Sequence, residues 1–320
     1  MTLNQLKVFV LAVRLGSMRA AAQALGVSEP AVSQALTALR QSLGDALLVR
    51  EGSGMVLTPA GRRVVGLASQ MVNLAVEAEA AVRHAQGSPE LIRVVATATV
   101  GEAVVPALLQ AYTHRAPNIE ATLGIGTVAE MTALLTERLS DVAIGPRLSG
   151  PAAVGIISEP LQRFRLAFVA SRADPLTANG PVSLARLREV DWLVDPTGTD
   201  PLSEVGHLLA HARVAESRIR VFPSQSAAWA AAASGTGIAP AVEHIFTATG
   251  NPALALVPVQ GSPYPMFWYA SMLGGDRTPT TASRLRRFLG TPDALQAMYR
   301  SDGGVPASKF RPPVHVTIWN

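Results

Sequence analysis

The chain has 320 residues, 48% of them hydrophobic, which suits two or more domains with substantial cores. It has no cysteine, which excludes disulfides, thiolate metal sites and cysteine nucleophiles. No apolar run approaches the ~18–20 residues that span a bilayer, and no charged-then-apolar leader with a cleavage site is seen, so a cytoplasmic protein without membrane contact is expected. Net charge is +4, and 25 of the 27 basic residues are arginine. Residues 1–63 carry seven basic and three acidic side chains. The whole net excess therefore sits in the first fifth of the chain, where it favours an anionic polymer as partner.

In chain order, Leu3, Leu6, Phe9, Val10 and Val13 recur at helical spacing until Gly16. Ser17 caps a short alanine-rich helix that Gly26 closes in the C′ position. Ser28 then caps a third helix with Pro30 in its first turn and Ala31, Val32, Ala35, Leu36 and Leu39 on its buried side, ending near Gly44. Helix, tight glycine turn and a second helix opening on Ser-x-Pro form a helix-turn-helix. The start of its second helix would enter the major groove, making Ser28, Glu29, Pro30, Ser33, Gln34 and Thr37 the groove-facing candidates. Two apolar runs, Leu47–Val49 and Met55–Leu57, read as a two-stranded wing with Arg50 placed for a phosphate. Thr58, Pro59 and Arg62, at the opening of the next helix, complete the DNA-facing set.

The ordered motif Leu6-x-x-Phe9, Gly16-Ser17, Ala20-Ala21-x-x-Leu25, Val27-Ser28-x-Pro30-Ala31-Val32-Ser33, Leu39, Leu43-Gly44 and Leu57-Thr58-Pro59-Ala60-Gly61 resembles the N-terminal domain of the LysR-type transcriptional regulators. Glu29 and Gln34 stand where that family usually has Gln and Arg, and Ala35 replaces a common Gln. An acid at the groove mouth accepts from a cytosine amino group but repels phosphate.

From Thr58 and Pro59 onward Val64, Leu67, Met71, Leu74, Ala78, Ala81 and Ala85 keep a 3-4 heptad spacing. This seam needs a covering surface, either its own domain or, as the resemblance implies, the same helix of a second subunit. A dimer or tetramer would present two reading units to two half-sites. Gln86-Gly87-Ser88-Pro89 ends the helix as a hinge.

From Glu90 strands and helices alternate, which predicts parallel sheets flanked by helices. Strands are expected at Leu91–Ala96, Ile119–Ile125, Asp141–Gly145, Leu166–Ala170, Trp192–Val194, Arg220–Phe222, Gly237–Ala239 and Met266–Ser271. Helices are expected at Gly101–His114, Val128–Arg138, Pro201–Arg213, Ser226–Ser234 and Thr281–Leu289. Pro106-x-Leu108-Leu109, Leu139-x-Asp141-Val142-Ala143-Ile144 and Gly235-x-Gly237-Ile238-Ala239 resemble the LysR-type effector domain, itself similar to two-lobed periplasmic binding proteins. The resemblance implies a ligand crevice between lobes of roughly 90–162 plus 266–300 and 163–265.

Around that crevice Thr97, Thr99, Val100, Gly126, Thr127, Pro146, Arg147, Ser224, Gln225 and Ser226 fall on turns between strands and helices. Hydroxyls and helix-end N–H groups there suit a carboxylate or other anion, and ordinary helix capping is the other role open to them. Glu204-x-x-His207-x-x-x-His211 has metal-compatible spacing but lacks a fourth ligand, so no metal is expected. Tyr264, Phe267, Trp268 and Tyr269 read as core and lobe interface.

No cofactor fingerprint and no nucleophile–base pair are present. The fold class expected is α/β, with a winged helix-turn-helix at 1–58, a linker and dimerisation helix with hinge at 59–89, an effector domain at 90–300 and a tail of unassigned role at 301–320. The function expected is a non-enzymatic, DNA-binding LysR-type regulator that senses a small molecule. A regulator without a diffusible effector, and an enzyme or solute-binding protein built on the α/β half, are the alternatives.

Overall fold

The computed structural model describes residues 1–51, 54–178, 180–300 and 303–311. Among the described residues the chain forms two compact units, one of Met1–Pro89 with Thr136–Leu139 and the other of Glu90–Leu135 with residues 140–311.

In the first unit α1 (Leu3–Arg14) opens on a capping box between Thr2 and Gln5. Ser17 caps α2 (Met18–Leu25) through the Ala20 amide. Gly26, at φ 65°, then lets the chain turn directly into α3 (Glu29–Leu43). The core joins Leu6 and Phe9 of α1, Ala21 of α2, and Val32, Leu36 and Leu39 of α3. β1 (Leu48–Glu51) and β2 (Gly54–Leu57) pair antiparallel, with Arg50 opposite Met55. These strands are the predicted wing, one or two residues longer toward its tip.

Helix α4 (Pro59–Ala85) starts at Thr58, whose hydroxyl accepts from the Gly61 amide. Gly61 is fixed by close approach, since a Cβ there would lie 2.0 Å from the Leu47 carbonyl oxygen. That oxygen accepts the Thr58 amide at 2.9 Å and cannot turn aside. Gly61→Ala is expected to destabilise the first unit by about 3 kcal/mol or more. Thermal unfolding followed by circular dichroism checks this, and an unchanged melting temperature would show that the wing can move away from α4.

The second unit opens with β3 (Glu90–Ala96), α5 (Ala98–Ala103), α6 (Val105–Arg115), β4 (Ile119–Ile125), α7 (Val128–Thr136) and β5 (Val142–Gly145). It continues through β6 (Ile156–Ser171), α8 (Pro175–Ala178), β7 (Trp192–Val194), α9 (Glu204–Ala212), β8 (Ile219–Val221) and α10 (Gln225–Ala233). β9 (Ala239–Val242), α11 (Glu243–Thr249), β10 (Leu254–Leu256), β11 (Tyr264–Leu273), α12 (Thr280–Leu289) and α13 (Pro292–Met298) complete it.

The expectation of parallel sheets holds for β3 with β4 and β5, and for β7 with β8. It fails for the rest of the main sheet, which runs β10-β6-β11-β5-β3-β4 with β9 also on β6. All pairings of β6 and β11 are antiparallel. These two strands are the crossing between the lobes. β11 joins β5 through Tyr269–Ser271, and the far half of β6 carries β9 and β10. The predicted lobe boundary at 162/163 therefore falls inside a single strand, opposite a bulge between Trp268 and Tyr269.

Other differences are local. The expected helix 101–114 is two helices meeting at Val104, and the strand predicted at 237–239 runs instead from Ala239 to Val242. The strand predicted at 166–170 is the end of the 16-residue β6. Within the tail, Phe310 bridges to Ala121 and the Arg311 amide donates to the Ala121 carbonyl at 2.8 Å. The tail thus covers the free edge of β4, a strand edge otherwise open to pairing. Residues 301–302 and 312–320 of the tail lie outside the described residues.

Candidate nucleic-acid interface and ligand cleft

On the first unit Ser28, Glu29, Pro30, Ser33, Gln34 and Thr37 are all exposed on the opening turns of α3, while Val32, Leu36 and Leu39 anchor the opposite side. Ser28 stands in the N-cap position without a side-chain capping bond, so its hydroxyl faces outward unspent. Thr37 donates its hydroxyl proton to the Ser33 carbonyl at 2.9 Å and keeps only acceptor capacity for a partner.

Thr58 has a structural role within the unit. Besides capping α4, it donates to Asp45 Oδ1 at 2.8 Å. The Leu47 amide donates to the same oxygen at 2.7 Å, and together these bonds hold the Asp45 carboxyl below its ordinary range. Pro59 and Arg62 are exposed, and Arg62 Nη1 donates to the Leu57 carbonyl at 2.9 Å. A groove between α3 and the wing is lined by Arg19, Glu29, Ser33, Thr37, Arg40 and Val49 among others. The Arg50 side chain and the wing tip, Gly52 and Ser53, lie outside the described residues.

Along α4 the seam divides. Val64 packs on the helix-turn-helix core beside Val65, Ala68 and Val72. Leu67, Met71 and Leu74 are exposed at 62%, 45% and 47%, and Ala78 and Ala81 are exposed too.

In the second unit the crevice lies at the crossing of β6 and β11. Hydrogen bonds from several elements bridge its two lobes. The Ala98 amide donates to Thr197 Oγ1 at 3.3 Å, and Thr99 Oγ1 donates to Gln225 Oε1 at 3.2 Å. Glu102 accepts the Gln225 amide at 3.1 Å and the Ser226 hydroxyl at 2.8 Å. Asp200 Oδ2 accepts the Val128 amide at 2.7 Å. What remains open is a cavity of about 30 Å³, whose lining includes Thr97, Thr99, Asp195, Glu204, Phe164 and Trp268.

The structure brings Thr97 and Thr99 to this cavity and Gln225 and Ser226 to the bridge across it. Val100 and Pro146 are buried and Arg147 is exposed, and none of the three is part of its lining. Thr127 forms a capping box with Glu130, whose Oε2 accepts the Thr127 amide at 2.7 Å, and the Ser224 hydroxyl caps α10 through the Ala227 amide. Capping, the alternative role, is what these two residues perform. Gly126 is buried in the turn before α7.

Sequence reasoning missed Glu102, Asp195 and Thr197 and placed Glu204 with His207 and His211. Both histidines are exposed, whereas Glu204 Oε1 is shut off from solvent with no hydrogen-bond partner. Burial pushes the Glu204 carboxyl up to about 7, partly offset by a bond from its own amide. Among the described residues no group of three His, Asp or Glu side chains could hold a metal. The one legible signal was Asp195-x-Thr197-Gly198, an Asx turn in which Asp195 Oδ1 accepts the Thr197 amide at 2.8 Å and its hydroxyl at 2.5 Å. Of the four aromatics near the carboxyl end, Trp268 is core and stacks on Phe164 at 4.3 Å, but Phe267 is 46% exposed.

A winged helix-turn-helix followed by a long helix and a two-lobed α/β cleft defines a DNA-binding regulator with a ligand-binding domain. Residues 3–62 match the family described as bacterial regulatory helix-turn-helix protein, lysR family, and residues 85–291 match the LysR substrate binding domain. The chain belongs to the LysR family of transcriptional regulators.

The chain is 31% identical to the HTH-type transcriptional regulator Rv0377 of Mycobacterium tuberculosis over the full length of both. It is 32% identical to YeiE of Escherichia coli over 65% of this chain and 69% of that one. Among solved structures, full-length CbnR complexed with its target DNA matches with a TM-score of 0.63 at 25% identity, covering 93% of this chain and all of that one. Among the described residues no helix is long and apolar enough to cross a membrane.

Proposed function

We propose that this chain acts in the cytoplasm as a homodimeric regulator and not as an enzyme. It reads duplex DNA through the start of α3 and the wing, and couples that reading to a small molecule held in the second unit. One observation carries the DNA reading: the six polar or small residues opening α3 are all exposed while the helix is anchored from behind. Side chains that reach base edges need that freedom. The similarity to CbnR, solved with its target DNA, supports the same docking.

Ser33 and Gln34 are the base readers, and Ser28, Arg50 and Arg62 position the backbone. Replacing Ser33 and Gln34 together by Ala is expected to weaken operator binding about 10–100-fold without changing helical content. Mobility shift on the intergenic DNA upstream of the gene, against a scrambled duplex, checks this. Equal loss on both duplexes would make these residues backbone contacts instead. Arg50→Ala should lower the salt slope of binding by about one.

The exposed seam Leu67, Met71, Leu74, Ala78 and Ala81 is the dimerisation face of α4, so residues 59–89 are the linker between reader and sensor. Ligand occupancy shifts the balance between open and closed lobes, and this bias changes how two reading units meet two half-sites.

A further inference from the structure

We propose that the cleft of the second unit takes a small organic ammonium ion, with Glu204 and Asp195 as its counter-charges and Phe164 and Trp268 as its apolar wall. The proposal rests on reading the second unit as a ligand sensor, and it decides the charge of the ligand.

Of the helix and turn starts near the crevice, three that could offer amide N–H groups to an anion already hold a carboxylate of this chain. At α10 Glu102 accepts the Gln225 amide and the Ser226 hydroxyl. At α7 Glu130 accepts the Thr127 amide and Asp200 accepts the Val128 amide. At the turn Pro196–Thr199 Asp195 accepts the Thr197 and Gly198 amides. At these three starts an entering carboxylate would have to displace an internal one and then sit beside it.

The cavity itself carries the opposite sign. Among the described residues its charged lining is Asp195 and Glu204, with no lysine, arginine or histidine. Glu204 is on this lining, and its Oε1 is shut off from solvent and unpartnered, a lone acceptor that lacks a donor. A buried acceptor in that condition is destabilising until a donor reaches it. An ammonium group supplies both the positive charge and three N–H donors, and the hydroxyls of Thr97, Thr99 and Ser203 on the same lining add acceptors.

Size and wall agree with the charge. About 30 Å³ holds a water-sized head, which an ammonium is. The stacked Phe164–Trp268 pair offers π-faces and edges of the kind that surround ammonium groups.

The test uses the full-length protein and three near-isosteric probes at equal ionic strength, ethylammonium chloride, sodium acetate and acetamide, read by calorimetry and by the shift in melting temperature. Ethylammonium is expected to bind saturably and at least about ten-fold tighter than either other probe, a difference charge pairing in an enclosed site readily supplies. Glu204→Gln, which keeps the shape, should remove that preference, and Asp195→Asn should reduce it.

Preference for acetate or acetamide overturns the ammonium assignment and leaves the sensor reading standing. Binding of none of the three at tens of millimolar overturns both. An equal, saturable response to sodium or potassium chloride alone assigns the site to an inorganic cation and overturns the proposal, as does undiminished ethylammonium binding by Glu204→Gln. The wild-type comparison stands whether or not a variant folds.

Discussion

The double substitution Leu67→Glu with Leu74→Glu is expected to convert the protein to a monomer and to lower its affinity for a two-half-site operator by about 10²–10⁴-fold. Helix α4 has 27 residues and two apolar sides. One, with Val64, Val65, Ala68 and Val72, packs on the helix-turn-helix core and is satisfied within the chain. The other leaves Leu67, Met71 and Leu74 roughly half exposed, with Val82 at 59% near the far end. Fully burying each large side chain gives about 1.5–3 kcal/mol, so three per helix, doubled by symmetry, suffice for a stable pair.

Two glutamates per helix would bring like charges together across the two-fold axis and remove that gain. Because neither position supports the core of its own unit, the fold itself should survive. Sedimentation equilibrium gives the mass, and mobility shift on a full operator against a single half-site gives the avidity. A variant that remains dimeric at micromolar concentration would show that another surface pairs the subunits. Loss of half-site binding as well would point to damage of the reading unit.

The second large effect concerns pH. Glu204 is expected to make stability fall as pH rises from about 4.5 to about 7, because its carboxyl titrates near 7 in the folded chain against an ordinary 4.5. Between those values the folded state holds more protons than the unfolded state, so raising the pH favours unfolding. The contribution is fully present below about 4.5, is lost through the window and stays lost above about 7. It amounts to at most about 3 kcal/mol, the full shift converted at 1.36 kcal/mol per unit.

His244 acts in the opposite direction. Burial lowers its pKa, so stability attached to its neutral form is lost as pH falls below its ordinary 6.5. The informative quantity is therefore the difference between wild type and Glu204→Gln, in which the other groups cancel. That difference should grow in favour of the variant from pH 4.5 to pH 7, whatever constant offset the buried amide introduces. Urea unfolding at a series of pH values measures it, and a pH-independent difference would place the Glu204 carboxylate in contact with solvent. A bound cation would pull the Glu204 pKa back down, so the cost of keeping this carboxylate enclosed fits a site kept for a ligand.

The helices of the reading unit were legible residue by residue because their signals are local. Ser17, Gly26, Gly44 and Thr58 act on backbone groups within one turn, and the 3-4 spacing of α4 needs no knowledge of the rest of the chain. Strands Ile119–Ile125 and Trp192–Val194 were equally plain, since short apolar runs between turn residues leave few alternatives.

The half of the second unit that carries its function was not legible. β6 extends through Glu159, Arg163 and Arg165, a charged stretch to which no strand is assigned from sequence, and the facing residues of β11 complete its ladder. Glu102 meets Ser226 across 124 residues of sequence, and Glu204 reaches the lining of a cavity that also takes Thr97 and Trp268. The sequence alone determined a LysR-type reader, its capped helices, the long helix α4 and a two-lobed α/β partner, from patterns spanning a few residues each. Only the tertiary structure decided that the starts of α7 and α10 and the turn Pro196–Thr199 are held by carboxylates of this chain, and that, among the described residues, the charged lining of the cavity is Asp195 and Glu204. Which carboxylate faces which helix start is fixed by how the lobes pack, and no local pattern encodes it.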